Sequence, residues 1–121
     1  MDTAALIFAV EFPEKLSGRI RSALQNPENL LELSVVSIIE IAVKSSKGKL
    51  TFSESALRQA IEDLDIRLLA CSSEHAFQMF HLPEHHRDPF DRMLVAQARI
   101  EGAVLVSSDA ALRDYDVPVS W

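Results

Sequence analysis

The chain carries 121 residues, 48% of them hydrophobic, with 18 Asp and Glu against 12 Lys and Arg for a formal net charge of −6. That length suits one domain, residues 1–121, which buries roughly two-thirds of the surface its unfolded chain would expose. The lone Cys71 excludes an intramolecular disulfide, a cysteine-built zinc framework and a Cys-x-x-Cys redox pair, and the acidic balance excludes a surface that grips nucleic acid by charge alone.

In chain order, Asp2 precedes the apolar stretch Ala4 to Val10, which leads to Pro13, and Glu14 to Leu24 carries a helical pattern with Leu16, Ile20 and Leu24 on one stripe. Asn26-Pro27-Glu28-Asn29 breaks that pattern. Leu30 to Val36 reads as a strand. Ser37 and Glu40 then have capping-box spacing, which predicts a helix running to about Ser46 before Gly48, with a mildly basic patch at Lys44, Lys47 and Lys49. Ser53 or Glu54 opens another helix with Leu57 and Ile61 inward; Ile66 to Ala70 reads as a short strand, Cys71 as a buried free thiol, and Ser73 to Phe80 as a further helix.

After the loop Leu82 to His86, Asp88 suits an N-cap and Pro89 the first helical position, so Asp91 falls in the first turn while Phe90, Leu94, Val95 and Ala98 face a core. Gly102 ends this helix, Ala103 to Val106 is a short buried-type strand, and Asp109 begins a last helical turn before Val117-Pro118-Val119. Helices and strands alternate. That pattern implies an α/β fold with a mainly parallel sheet covered by helices, whose ligands gather beyond the carboxyl ends of the strands. Neither a leader pattern nor an apolar run of bilayer-crossing length is read in the sequence, so a cytoplasmic protein with no membrane contact is expected.

Four acids lie at the edges of apolar segments: Asp2, Glu40, Asp91 and Asp109. Each has a purely structural account, since carboxylates cap helices and favour the positive end of the helix dipole. If the four converge, they repel one another unless protons or cations intervene, and hard anionic oxygens select Mg²⁺ or Mn²⁺. Zinc would recruit Cys or His; His75, His81, His85 and His86 show no ligand spacing with Cys71 and read as solvated or packed loop residues. A carboxylate-held Mg²⁺ can acidify a water and neutralise charge developing on a phosphodiester, so hydrolysis of nucleic acid follows from it. Ser107 can support Asp109 through its hydroxyl. Lys44 lies one turn after Glu40 and can either meet a phosphate or form an i,i+4 salt bridge. No Gly-x-x-x-x-Gly-Lys-Ser/Thr loop, Gly-x-Gly-x-x-Gly turn or Gly-x-Ser-x-Gly elbow is present, which removes nucleotide-fuelled and serine-nucleophile chemistries.

At these residues the chain resembles a PIN-domain ribonuclease, in particular the VapC-type toxin of type II toxin–antitoxin pairs. The resemblance rests on Met1-Asp2-Thr3 with Leu6-Ile7, Val35 to Lys44 with Gly48-Lys49-Leu50, Leu82-Pro83 through His86-Arg87-Asp88-Pro89-Phe90-Asp91-Arg92 and Ala96-Gln97-Ala98, then Ser107-Ser108-Asp109 and Tyr115 to Trp121. It implies a PIN-like three-layer α/β/α arrangement around a mainly parallel sheet of about five strands. It also implies an acidic quartet of Asp2, Glu40, Asp91 and Asp109 that binds Mg²⁺ or Mn²⁺ and supports RNA hydrolysis. Ser107 matches the family's Ser/Thr two residues before the last acid, and Asp88 is assigned to capping and support. A cognate antitoxin and a homodimer are further implications. Two departures stand out. The family has an apolar strand before its first acid and commonly a His two residues after it; here only Met1 precedes Asp2, so the first strand reads as truncated, and Ala4 takes the later position. These departures sustain a second reading, a catalytically silent PIN module that binds protein or RNA.

Overall fold

Six α-helices and four short strands alternate along residues 1–121, all of which the structure, a computed structural model, describes. They are α1 (Thr3–Glu11), α2 (Gly18–Gln25), β1 (Glu32–Ser34), α3 (Val35–Ser46), α4 (Glu54–Asp63), β2 (Arg67–Leu69), α5 (Ser73–Gln78), α6 (Pro89–Glu101), β3 (Leu105–Val106) and β4 (Val119–Ser120). Tight 3-10 turns occupy Pro13–Lys15, Met79–His81 and Ala110–Asp114. No helix is long and apolar enough to cross a membrane.

Local chemistry sets most of the boundaries. Ser53 caps α4 by accepting the Ala56 N–H, and Asp88 caps α6 by accepting the Phe90 N–H ahead of Pro89 at the first helical position. Gly102 closes α6 at φ +63°, a left-handed conformation that costs glycine nothing. The expected helix from Glu14 to Leu24 is two pieces, because Leu16 and Ser17 are extended and Ser17 caps α2 through the Ile20 N–H. The expected strand from Leu30 to Val36 is shorter for a similar reason. Ser34, three residues before Ser37, turns the chain into α3 by accepting the Val36 N–H at 3.0 Å. Ser37 therefore lies inside α3, fully buried with its hydroxyl unpartnered, and the expected Ser37–Glu40 capping box does not form.

All strand pairing is parallel, as the alternation of elements implies, but the single sheet of about five strands is not what forms. Four strands make two separate pairs: β1 with β2, Leu33 opposite Leu68, and β3 with β4, Leu105 opposite Val119. Only Met1 and Asp2 span the space between them. The Met1 nitrogen donates to the Glu32 carbonyl of β1 and the Asp2 N–H to the Val106 carbonyl of β3, both at 2.9 Å.

The core is divided in the same way. One cluster gathers Leu6, Leu33, Ile41, Phe52, Leu57 and Ile66 around β1; the other packs Leu94, Val95, Ala98, Leu105, Leu112 and Tyr115 around α6 and β3. Helix α3 joins the two, sending Val36 into the second cluster and Ile41 into the first. Cys71 corrects the expectation of burial: it lies past the end of β2, where the chain has left the sheet, and is exposed with its Sγ 3.8 Å from Met93 Sδ.

Candidate functional site

The four acids come from elements far apart in sequence, and all but Glu40 are placed by the start of a helix or turn. Asp2 is the N-cap of α1, its Oδ1 accepting the Ala5 N–H at 2.8 Å. Glu40 lies in the middle of α3. Asp91 stands in the first turn of α6, two residues after the Asp88 cap has been followed by Pro89. Asp109 follows β3 and caps the Ala110–Asp114 turn through the Ala111 N–H. At Asp2 and Asp109 the helix or turn that begins there holds one carboxylate oxygen by a backbone N–H and leaves the other to face the site.

Asp91 is where their fields meet. Burial, then the charges of Asp88, Asp2 and Glu40, push its carboxyl up from an ordinary 3.8 to about 6, and His86 only partly opposes them. Asp2 is also raised, first by burial and in part by Glu40, although Ser107 and the Ala5 N–H hydrogen-bond to it. Asp109 moves the other way: burial raises it, but the hydrogen bonds from His86 and the Ala111 N–H outweigh that and hold it below the usual range.

The expected supporting residues take definite positions. Ser107, fully buried, hydrogen-bonds the Asp2 carboxylate and accepts the Asp109 N–H at 3.0 Å, so one hydroxyl ties the first acid to the last. Lys44 resolves to the salt bridge: its Nζ meets Glu40 Oε2 at 2.6 Å, and that contact, ahead of the more distant Asp88 and Asp91 charges, raises the ammonium pKa. The other Glu40 oxygen accepts from Thr3 Oγ1, also at 2.6 Å. Asp88 serves as a cap, as expected, and additionally pushes on Asp91 electrostatically.

One residue of the cluster was not legible in the sequence. His86, expected as a solvated or packed loop side chain, inserts Nε2 between Asp109 Oδ2 at 2.8 Å and Asp91 Oδ2 at 3.3 Å. Its Nδ1 accepts the Asp88 N–H and its own N–H donates to the Tyr115 hydroxyl. With Nδ1 an acceptor, the ring hydrogen sits on Nε2 and donates to Asp109, with the Asp91 carboxylate beside it. The available signal was position, two residues ahead of the Asp88 cap and therefore at the mouth of the acidic helix.

His86, Asp91 and Asp109 offer ligand atoms that all lie within 4.8 Å of one another. The donor set fits a hard divalent cation: carboxylate oxygens from separate elements, one of them disfavouring its own charge until positive charge arrives. Asp2 and Glu40 stand outside that tightest group, within electrostatic reach of Asp91.

The pKa of Asp91 gives a testable sign. Between pH 4 and 6 the folded protein keeps a proton on Asp91 that the unfolded chain has lost, so this group makes stability fall as pH rises through that window. In chelator-containing buffer, Asp91→Asn removes this contribution. The melting point of the variant relative to wild type is expected to be higher at pH 7.5 than at pH 4.5, and a difference independent of pH would refute the assigned environment of Asp91.

A family model described as the PIN domain matches residues 1–118 of the chain. No curated protein matches its sequence. Among solved structures, one described as VapBC2 from Rickettsia felis bound to a DNA fragment from their promoter is similar in fold, with a TM-score of 0.67 and 17% identity over 98% of this chain and 93% of that one.

Proposed function

The chain belongs to the PIN-domain family, and from that premise we propose that it is a metal-dependent endoribonuclease, a VapC-type toxin neutralised by a cognate antitoxin. The observation that carries the reading is the meeting of Asp2, Glu40, Asp88 and His86 around Asp91, with Asp109 on the far side of His86. Asp91 and Asp109 would hold Mg²⁺ or Mn²⁺ together, with Asp2 and Glu40 adding negative charge behind them. When bound, the cation supplies positive charge against the phosphodiester and lowers the pKa of a water.

The chain's own residues do the rest. Thr3 and Lys44 fix both oxygens of Glu40, and Ser107 fixes Asp2 against the backbone of Asp109. Such locked carboxylates hold their geometry without reorganisation during the reaction. His86 keeps Asp109 deprotonated by donating to it. Hydrolysis adds water to phosphorus and breaks the bond to the 3′ oxygen, which leaves with a proton, so the products carry 3′-hydroxyl and 5′-phosphate ends.

The structural neighbour's description as VapBC2 supports an antitoxin as partner; a homodimer and a cytoplasmic setting belong to the same reading. A catalytically silent binding module is the competing one, and the salt bridge from Lys44 that occupies a Glu40 oxygen favours it. End-labelled RNA separates the two. We expect cleavage in Mg²⁺ or Mn²⁺, none in EDTA, and fragments that a 5′-phosphate-dependent exonuclease degrades. RNA that is bound but left intact under all metal conditions would establish the silent module instead.

A further inference from the structure

We infer that the hollow between the C-terminal end of α3 and the N-terminal end of α6 is an anion subsite, where Lys47, Lys49 and Arg87 hold a backbone phosphate of the RNA strand beside the one that is cut. The inference rests on the nuclease reading for its ligand and deepens it, adding a contact outside the acidic cluster.

The chain is acidic overall, yet four of its 12 Lys and Arg line this one hollow of about 400 Å³. Asp88 is the only acid in its wall, and one Asp88 oxygen is taken by the Phe90 N–H. Lys44 is committed to Glu40. Lys47, Lys49 and Arg87 form no salt bridge with Asp88 or with any other acid. Three uncompensated cations lining one hollow repel one another, and a bound anion relieves that repulsion.

Ordinary helix chemistry accounts for only part of the arrangement. Lys44 in the last turn of α3 and Lys47 at its C-cap suit the negative end of the helix dipole. Lys49 is brought back by a turn: Gly48 takes φ +69°, a left-handed conformation, and the Lys49 N–H donates to the Lys44 carbonyl at 3.0 Å. Arg87 is the opposite case. It stands immediately before the Asp88 cap, at the positive end of α6, where a cation is disfavoured and an anion favoured. A cation in that position gains from a bound phosphate and not from the helix.

The hollow adjoins the acidic cluster. Arg87 follows His86, which bonds Asp109, and Lys44 feels the charges of Asp88 and Asp91. From Glu40 to Lys47 the axis of α3 advances about 10 Å, at 1.5 Å per residue. That distance is too long for contact with the reacting phosphate and suits a neighbouring one. The remaining wall residues, Val43, Pro89 and Phe90, are apolar. Cations flanked by an aromatic ring suit a nucleotide, whose phosphate meets the charge while its sugar and base cover the apolar surface. An acidic peptide uses only the charge.

The test measures binding of a fluorescent single-stranded RNA in EDTA, where no cleavage intervenes, over a range of potassium chloride concentrations. The triple variant Lys47→Gln, Lys49→Gln, Arg87→Gln is expected to bind about tenfold more weakly at low salt and to lose about 0.7 from the slope of log affinity against log salt, the loss of one single-strand phosphate contact. Arg19→Gln, an exposed position on α2, is expected to change neither. The charge-conserving triple Lys47→Arg, Lys49→Arg, Arg87→Lys is expected to bind as wild type. In Mn²⁺ the glutamine triple should raise KM and leave kcat nearly unchanged, because the contact lies away from the reacting atoms. RNA binding that is absent from the wild type, or equal in strength and slope for wild type and the glutamine triple, would overturn the inference whether or not the RNA is cut. Binding that needs the three cations, of RNA that neither Mg²⁺ nor Mn²⁺ causes to be cut, would keep the subsite and overturn the nuclease reading instead. An oligoglutamate peptide whose binding needs the three cations while RNA binding does not would overturn the inference too, assigning the hollow to an acidic protein segment.

Discussion

Asp91→Asn is expected to reduce RNA cleavage by on the order of 100-fold or more, the scale on which a single preorganised charge in a reacting site is lost, while leaving the fold intact. The amide preserves the size of the side chain. It gives up a favourable interaction with the N-terminal end of α6, about 0.3–1 kcal/mol for such a charge, but it also removes the cost of burying that charge and the repulsion from Asp88, Asp2 and Glu40, which together push the Asp91 carboxyl up to about 6. The two effects oppose each other, so stability at neutral pH is expected to be equal to wild type or slightly higher. Loss of activity without loss of structure is then a statement about charge. Asp88→Asn gives the contrast, because asparagine caps a helix as well as aspartate does, and the Phe90 N–H keeps its acceptor. It is expected to lower cleavage only a few-fold. Single-turnover cleavage of one RNA by both variants, with circular dichroism melts alongside, checks this; equal losses at both positions would show that Asp88 does more than cap.

What was legible in the sequence is what local chemistry decides. Ser53, Asp88 with Pro89, and Gly102 set helix ends through contacts with their immediate neighbours, and these ends fall where the residues indicate. The Leu30–Val36 stretch is extended strand only over Glu32–Ser34, because its apolar pattern does not reveal where extended backbone becomes helix; Ser34 and Ser37 are equally good caps by type, and tertiary packing selects the earlier. The division into two strand pairs was out of reach for a different reason. Pairing joins residues distant in sequence, Leu33 with Leu68 and Leu105 with Val119, and no periodicity within a segment encodes which strand lies beside it. The four acids were legible because each stands at the edge of an apolar segment of the sequence, although Glu40 lies inside α3. His86 was missed because its role lies in reaching Asp91 and Asp109 at once, a relation between α6 and the segment after β3 that spacing does not record.

The second large effect concerns the cation. Millimolar Mn²⁺ is expected to raise the melting point of the wild-type protein at pH 7.5 by several degrees, since a ligand present at a hundredfold excess over its dissociation constant stabilises the native state by about 2.7 kcal/mol and a domain of this size shifts by a few degrees for each kcal/mol. The structure ranks the variants. Asp91 and Asp109 carry ligand oxygens within the 4.8 Å group, so Asp91→Asn and Asp109→Asn should each remove most of the shift. Glu40 is bound on both oxygens by Thr3 and Lys44 and stands outside that group, so Glu40→Gln should remove less of it. The shift should also shrink towards pH 5, where protons compete for Asp91, whose carboxyl titrates near 6. Sodium chloride at matched ionic strength controls for screening and is expected to reproduce none of this ordering. Melting curves unchanged by Mn²⁺ at pH 7.5 would remove the cation from the site, and with it the basis for reading the acids as catalytic rather than as four structural carboxylates that happen to meet.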